Sequence, residues 1–225
     1  MTDPQMQTLF SACDYLRLLE RSGIGWLPAP AFPKSAADLL NEIAQEVAEC
    51  KACGLHAMRK HVVPGEGSPQ AELLFVGEAP GAEEDRLGRP FVGECGDLLE
   101  KMIVAMHFKR EEVFILNVLK CRPPENRNPE PQEVRACEQF LLRQIQIIQP
   151  KIIVTLGRFA AQLLLATTDS MGRLRGQWRE YNGIPLMPTY HPSYLLRTPS
   201  DKRKAWEDLQ KVMHKYEELC GQLPR

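Results

Sequence analysis

Four short apolar runs set the limits on what this chain can fold into. They read AELLFVG (71–77), EVFILNV (112–118), KIIVTLG (151–157) and GIPLMPTY (183–190). Segments of helical spacing lie between and after them: near 96–107, over 131–148, from 158, and over roughly 201–219, where Trp206, Leu209, Val212, Met213, Tyr216 and Leu219 share one stripe. A strand with one wet face alternates apolar and polar residues, whereas a nearly unbroken apolar run is covered on both faces. Such strands alternating with helices imply an α/β architecture, a parallel sheet with helices on both sides.

In sheets of this kind ligands bind beyond the carboxyl ends of the strands. GEAPG follows the first run, Asn117 ends the second, and HPS (191–193) follows the fourth. The sheet therefore aims all three at one cleft. The stretch GEAPGAEEDRLGRPFVG (77–93) is neither G-x-G-x-x-G nor a phosphate loop ending in G-K-[ST], so nucleotide binding has little support. Glu83, Glu84 and Asp85 have an ordinary reason to be there, since acids suit a helix N-terminus. Glu78, at the strand end beside a turn, does not share it. Phe91, between Pro90 and Val92, is by default a core aromatic. Asn117 ends a strand expected to be buried, where an unsatisfied amide costs about 1–3 kcal/mol. Backbone bonding and ligand reading are both open to it. His191 fits either a loop-fixing or a functional role.

Upstream, Asp3-Pro4 and the spacing of Met6, Leu9, Phe10, Cys13, Leu16 and Leu19 predict a short amphipathic helix over 3–22. GIGWLPAPAFPKS reads as a linker, and Ser35 with Asp38 as a capping-box-like start to a helix with Leu39, Leu40, Ile43 and Val47 on one face. The chain thus divides into an N-terminal helical extension with a Pro-rich linker (1–34) and an α/β domain (35–225). The opening residues carry no basic-then-apolar leader and no run reaches membrane-spanning length, so a cytoplasmic protein without a membrane partner is expected.

In that setting seven cysteines point to metal or redox chemistry rather than disulfides. Cys50 and Cys53 form C-x-x-C, and Cys121 and Cys137 lie sixteen apart. The wide second pair is unlike a zinc ribbon, and an iron–sulfur cluster suits the spacing at least as well. Cys13, Cys95 and Cys220 stand alone. A net charge of −1 neither demands nor excludes a polyanionic partner. A local basic patch is present in GRLRGQWR (172–179) and RTPSDKRK (197–204), on both sides of HPS, where phosphate-backbone binding would need it.

Together GEAPG with EED, GRPFVG, LNVLKCRPP, the cysteine set and YHPSYLLR resemble the family 4 uracil-DNA glycosylases, over about residues 46–200. The resemblance implies a three-layer α/β/α sandwich with a four-stranded parallel sheet. It implies a [4Fe–4S] cluster on Cys50, Cys53, Cys121 and Cys137, structural and DNA-orienting. The implied reaction is monofunctional hydrolysis of the N-glycosidic bond of deoxyuridine in single- or double-stranded DNA by a monomer, in base excision repair. Phe91 would stack on the flipped base, Asn117 read its edge, and His191 stabilise the departing uracil anion. Glu78 would position water. Ala79 and Gly81 would bring backbone close to the uracil, and Glu84 would exclude a thymine methyl. Ser193 would contact a phosphate, with Leu195, Leu196 and Arg197 in the loop that wedges into the vacated stack. Two alternatives compete. One is a relative that traps uracil-DNA covalently through a histidine after the second strand, where this chain reads KCRPPENRNPEPQE without a histidine. The other is a non-catalytic iron–sulfur DNA-binding module. The 1–34 extension is free to dock on the domain or to meet repair or replication proteins.

Overall fold

A computed structural model describes residues 34–224. The helix expected over 3–22 and its linker lie outside the described residues. Helix α1 (Ala36–Glu49) starts at the expected capping box: the Asp38 N–H donates to Ser35 Oγ (3.1 Å) and the Ser35 N–H to Asp38 Oδ2 (3.1 Å). Its buried face is Leu40, Ile43 and Val47.

The sheet has six strands: β1 (Glu66–Gly67), β2 (Leu73–Gly77), β3 (Phe114–Asn117), β4 (Ile152–Leu156), β5 (Arg179–Tyr181) and β6 (Ile184–Thr189), in the order β1-β3-β2-β4-β6-β5. The four apolar runs form its centre, β3-β2-β4-β6, all parallel. The four-stranded expectation is therefore extended by two antiparallel edges, β1 on β3 and β5 on β6. Both are two or three residues long and polar, too short to leave a periodic signal in the sequence.

Helices α2 (Ala82–Leu87), α3 (Glu94–Ala105), α4 (Pro131–Ile148), α5 (Arg158–Leu164), α6 (Met171–Leu174), α7 (Pro192–Arg197) and α8 (Lys202–Cys220) complete the domain. Because side chains alternate across a strand, each strand feeds two cores. Leu74, Val76, Leu116 and Ile153 pack with α1, α4 and α5, while Leu73, Phe75, Ile115 and Val154 pack with α3 and α8. That is a three-layer α/β/α sandwich. No helix among the described residues is long and apolar enough to cross a membrane.

The strand order also fixes where a ligand goes. The chain leaves β2 for β3 on one side and leaves β4 for β5 and β6 on the other. The carboxyl ends of β2 and β4 part at that switch point and open a crevice.

Candidate active site

The crevice is a cleft of about 980 Å³ whose lining includes Glu78, Phe91, Asn117, Arg158, His191 and Arg197. Ala79, Gly81, Glu84 and Ser193 line it as well. Asn117 is paired in register with Gly77 and is 1% exposed, and its Oδ1 has no hydrogen-bond partner. A buried acceptor left open costs stability unless something arrives to fill it. Gly77 makes room for this amide: a Cβ there would lie 2.3 Å from Asn117 Oδ1 and 2.6 Å from the Phe91 ring. Phe91 itself is buried, with φ 49°, against Gly96, whose Cβ would come within 2.0 Å of the Phe91 carbonyl. Its ring centroid is 5.6 Å from that of His191.

His191 caps α7. The Ser193 N–H donates to His191 Nδ1 (3.1 Å), and Ser193 Oγ lies 2.8 Å from the same nitrogen. A nitrogen that accepts carries no proton, so the neutral ring holds its hydrogen on Nε2. Burial, with Arg197 adding to it, pushes the imidazole pKa down to about 4. At neutral pH His191 is therefore an uncharged Nε2–H donor. Gly157, at φ 90°, accepts the close approach of the histidine, since a Cβ there would be 2.9 Å from His191 Cβ.

Glu78 follows β2. Burial raises its carboxyl from 4.5 to about 7, opposed in part by the charge of Arg158. Glu84 accepts two backbone bonds: its Oε1 takes the N–H of Val92 (3.0 Å) and its Oε2, as a helix-start acid, that of Gly81 (3.0 Å). It clamps the two loops that bring Ala79 and Phe91 to the cleft. Leu195 is 1% exposed and packs in the core, whereas Leu196 is 36% exposed. Of that pair only Leu196 reaches the surface. Much of the expected basic patch is paired locally: Arg173 with Asp169, Arg203 with Glu207, Lys204 with Asp201, and Arg175 with buried Asp208. The cleft takes its cations from Arg127, Arg158 and Arg197.

The four spaced cysteines lie on the α1–α4 side of the sheet. Cys50 caps α1, Cys53 follows it, Cys121 comes after β3 and Cys137 lies in α4. Cys121 and Cys137 belong to the core there, and Cys50 and Cys53 pack against it as free thiols. Arg59 donates to Cys121 Sγ (3.3 Å) and the Lys120 N–H to Cys137 Sγ (3.3 Å). N–H donors aimed at sulfur are what thiolate ligands draw around themselves. Among the described residues no group of three or more His, Cys, Asp or Glu side chains is arranged to hold a metal ion. The donor set fits a thiolate-held cluster in residue type and in surrounding donors.

Some of the site had no signal in the sequence. Lys120 is fully buried and its Nζ donates to the Asn117 carbonyl (2.8 Å), bracing the strand end from beneath. Gly77, Gly157 and Arg158 matter only because the sheet order brings β2, β4 and β6 together.

An aromatic ring, an open amide and a neutral histidine thus share one cleft at the switch point of a parallel α/β sandwich. Residues 64–210 match the family model described as the uracil DNA glycosylase superfamily, and the chain belongs to that superfamily. Within it the similarity is to the type-4 branch. The chain is 47% identical over 184 residues to the type-4 uracil-DNA glycosylase of Sulfurisphaera tokodaii, covering 78% of this chain and 84% of that one. It is 42% identical over 190 residues to that of Archaeoglobus fulgidus (81% and 94%) and 45% over 179 residues to that of Thermotoga maritima (78% and 93%).

Proposed function

We propose that this protein is a monofunctional uracil-DNA glycosylase, hydrolysing the N-glycosidic bond of deoxyuridine in DNA to leave an abasic site. The observation that carries the reading is the open, buried Asn117 Oδ1 in a cleft shared with Phe91 and His191. A base inside a duplex is out of reach, so the nucleotide flips into the cleft and its unstacking is offset by contacts there. Uracil offers N3–H to the open Oδ1 and O4 to the amide nitrogen. Cytosine has an acceptor at N3 and a donor at C4, so it leaves the amide mispaired, which a buried polar site rejects strongly. Phe91 supplies a stacking face, and Ala79 and Gly81 the close backbone.

As the glycosidic bond breaks, its electrons move into the uracil and negative charge gathers at O2. His191 Nε2–H is the donor for that oxygen. Glu78, as a carboxylate, orients the water that adds to the sugar carbon. Ser193 serves His191 first, by holding its tautomer. Leu196 and Arg197 are the apolar plug and cation facing the vacated stack, with Leu195 anchoring their helix.

We assign a [4Fe–4S] cluster to Cys50, Cys53, Cys121 and Cys137, where it would supply a rigid crosslink between α1, α4 and the segment after β3. Anaerobically purified protein should contain about four irons with acid-labile sulfide, and Cys137→Ser should lower both the iron content and the melting temperature. Zinc in place of iron overturns the assignment. The catalytic domain would be 35–225, with 1–34 as an extension that either docks on it or meets repair or replication proteins.

The deciding experiment incubates the protein with a labelled oligonucleotide carrying one uracil, in excess chelator. Strand cleavage only after alkali supports the reading. A slow-migrating adduct would favour covalent trapping, and binding without either product a non-catalytic module.

The pH dependence has a worked sign. Glu78 acts ionised, and its carboxyl titrates at about 7, so kcat/KM should rise up to about tenfold per pH unit below 7 and level off above it. His191 stays neutral down to about 4 and adds no limb in that range. Glu78→Gln should abolish the limb. Stability runs the other way. A raised carboxyl contributes stability that is full below 4.5 and lost as pH climbs through about 7. Glu78→Gln should therefore melt higher than the parent at pH 8 and like it at pH 4; the reverse order would refute the burial account.

A further inference from the structure

The carboxylate of Asp208 is completely buried on α8 and has no part in the reading given so far. Its Oδ2 accepts the Thr189 hydroxyl (2.8 Å) and the Arg175 Nε–H (3.1 Å), and its Oδ1 accepts a second Arg175 N–H. Thr189 is the last residue of β6 and stands two positions before His191. Arg175 also donates to the Lys204 carbonyl (2.6 Å), and its guanidinium lies 5.6 Å from the ring centroid of Tyr190. Tyr190 stacks on Tyr194 at 4.7 Å, and the Tyr194 hydroxyl donates to Asp201 (2.6 Å). The side-chain contacts of Thr189, Tyr190 and Tyr194 thus lead to this ion pair or to the start of the helix that bears it.

The approach of the turn before β5 is built around the same carboxylate. Gly176, at φ 68°, would place a Cβ 2.5 Å from Asp208 Oδ1, so only glycine fits there. The Gly176 N–H donates to the Pro188 carbonyl (3.0 Å) and Lys211 Nζ donates to the Gly176 carbonyl (2.7 Å). A buried ion pair is a poor device for stability alone, because desolvating two charges cancels most of their attraction. It is a good device for fixing a geometry, since its hydrogen bonds are directional and few alternatives satisfy them.

We propose that Asp208, with Arg175, is a positioning group for His191: the pair fixes the end of β6 through Thr189 and Tyr190 and so sets the distance from the histidine Nε2–H to the departing base. The ring's tautomer is set locally by Ser193, and its place in the cleft by the ion pair. The proposal rests on the reading of His191 as the donor to uracil O2.

The test is a double-mutant cycle in the full-length, cluster-containing protein. Thr189→Val removes one hydroxyl from the brace and keeps the Arg175–Asp208 pair, and Asp208→Asn removes the charge. Each is made in the parent and in His191→Ala, and uracil release from a uracil-containing oligonucleotide is followed under single-turnover and steady-state conditions. In the parent, Thr189→Val should lower the single-turnover rate about tenfold and Asp208→Asn up to about a hundredfold, with KM and DNA affinity within about twofold. In His191→Ala the same changes should cost less than about twofold, because the group they position is gone. Equal losses in both backgrounds, or a raised KM at unchanged kcat, would mean a merely structural role and overturn the proposal. If Asp208→Asn does not fold, Thr189→Val decides. A His191→Ala protein as fast as the parent would sink the reading of the histidine itself, whereas a slow His191→Ala beside an unaffected Thr189→Val overturns the positioning role alone.

Discussion

Replacing His191 with alanine is expected to lower the single-turnover rate of uracil release about 10²–10³-fold, the loss measured when one preorganised donor to a developing anion is removed. The donor is preorganised in three respects. Nδ1 is occupied by the Ser193 N–H, Gly157 admits the side chain closely, and Phe91 stands beside the ring. Burial keeps the imidazole neutral, so the contact strengthens as charge builds on the uracil and never competes as a charged partner for a phosphate. DNA affinity should hardly change, because the interaction forms mainly in the transition state. His191→Asn, which keeps an N–H donor, should recover part of the rate. A loss in affinity matching the loss in rate would instead make the histidine a binding group.

The second large effect is expected from a single methyl. Gly77→Ala would place a carbon 2.3 Å from Asn117 Oδ1 and 2.6 Å from the Phe91 ring, so the amide, the ring or both must shift. Displacing reacting groups by about 1 Å can cost on the order of 10²-fold in rate, and overpacking a close-fitted interior about 1–3 kcal/mol in stability. The two losses can be separated. Gly77→Ala with Phe91→Ala should regain stability, because the ring is gone, but not activity, because the amide is still pushed aside and the stacking face is missing. Full activity in Gly77→Ala would mean that the approach of Asn117 to the strand end is not needed for base reading.

What could be read from the sequence was whatever depends on local chemistry or on period. The strand runs, the capping box at Ser35, the helix over 131–148 and the placement of Glu78, Asn117 and His191 at strand ends all follow from neighbours in the chain. The rest depends on partners far away in sequence. Glu84 looks like a free acid of a helix start until Val92 and Gly81 turn their N–H groups onto it. Arg175 looks like one cation of a DNA-binding patch until Asp208, 33 residues on, takes it inward. Leu195 and Leu196 are alike as letters, and only the direction of α7 makes one core and the other surface. Periodicity also cannot see strands of two or three residues, which is why both edges of the sheet went unread.

Those edges have a consequence for how the protein behaves in a crowded cell. An open sheet is a template on which another chain can lay a strand, and the hazard grows with the length and flatness of its outer strands. Here one margin is Glu66 and Gly67, the glutamate gripped by Arg89 (2.8 Å) and Arg110 (2.7 Å) and the glycine turned to φ 135°. The other is Arg179, Glu180 and Tyr181, with both charged residues exposed. Neither offers an apolar ladder long enough to recruit a neighbour. The apolar parallel centre, the part of the chain most prone to self-association while it folds, is thereby sealed behind two short, charged selvages.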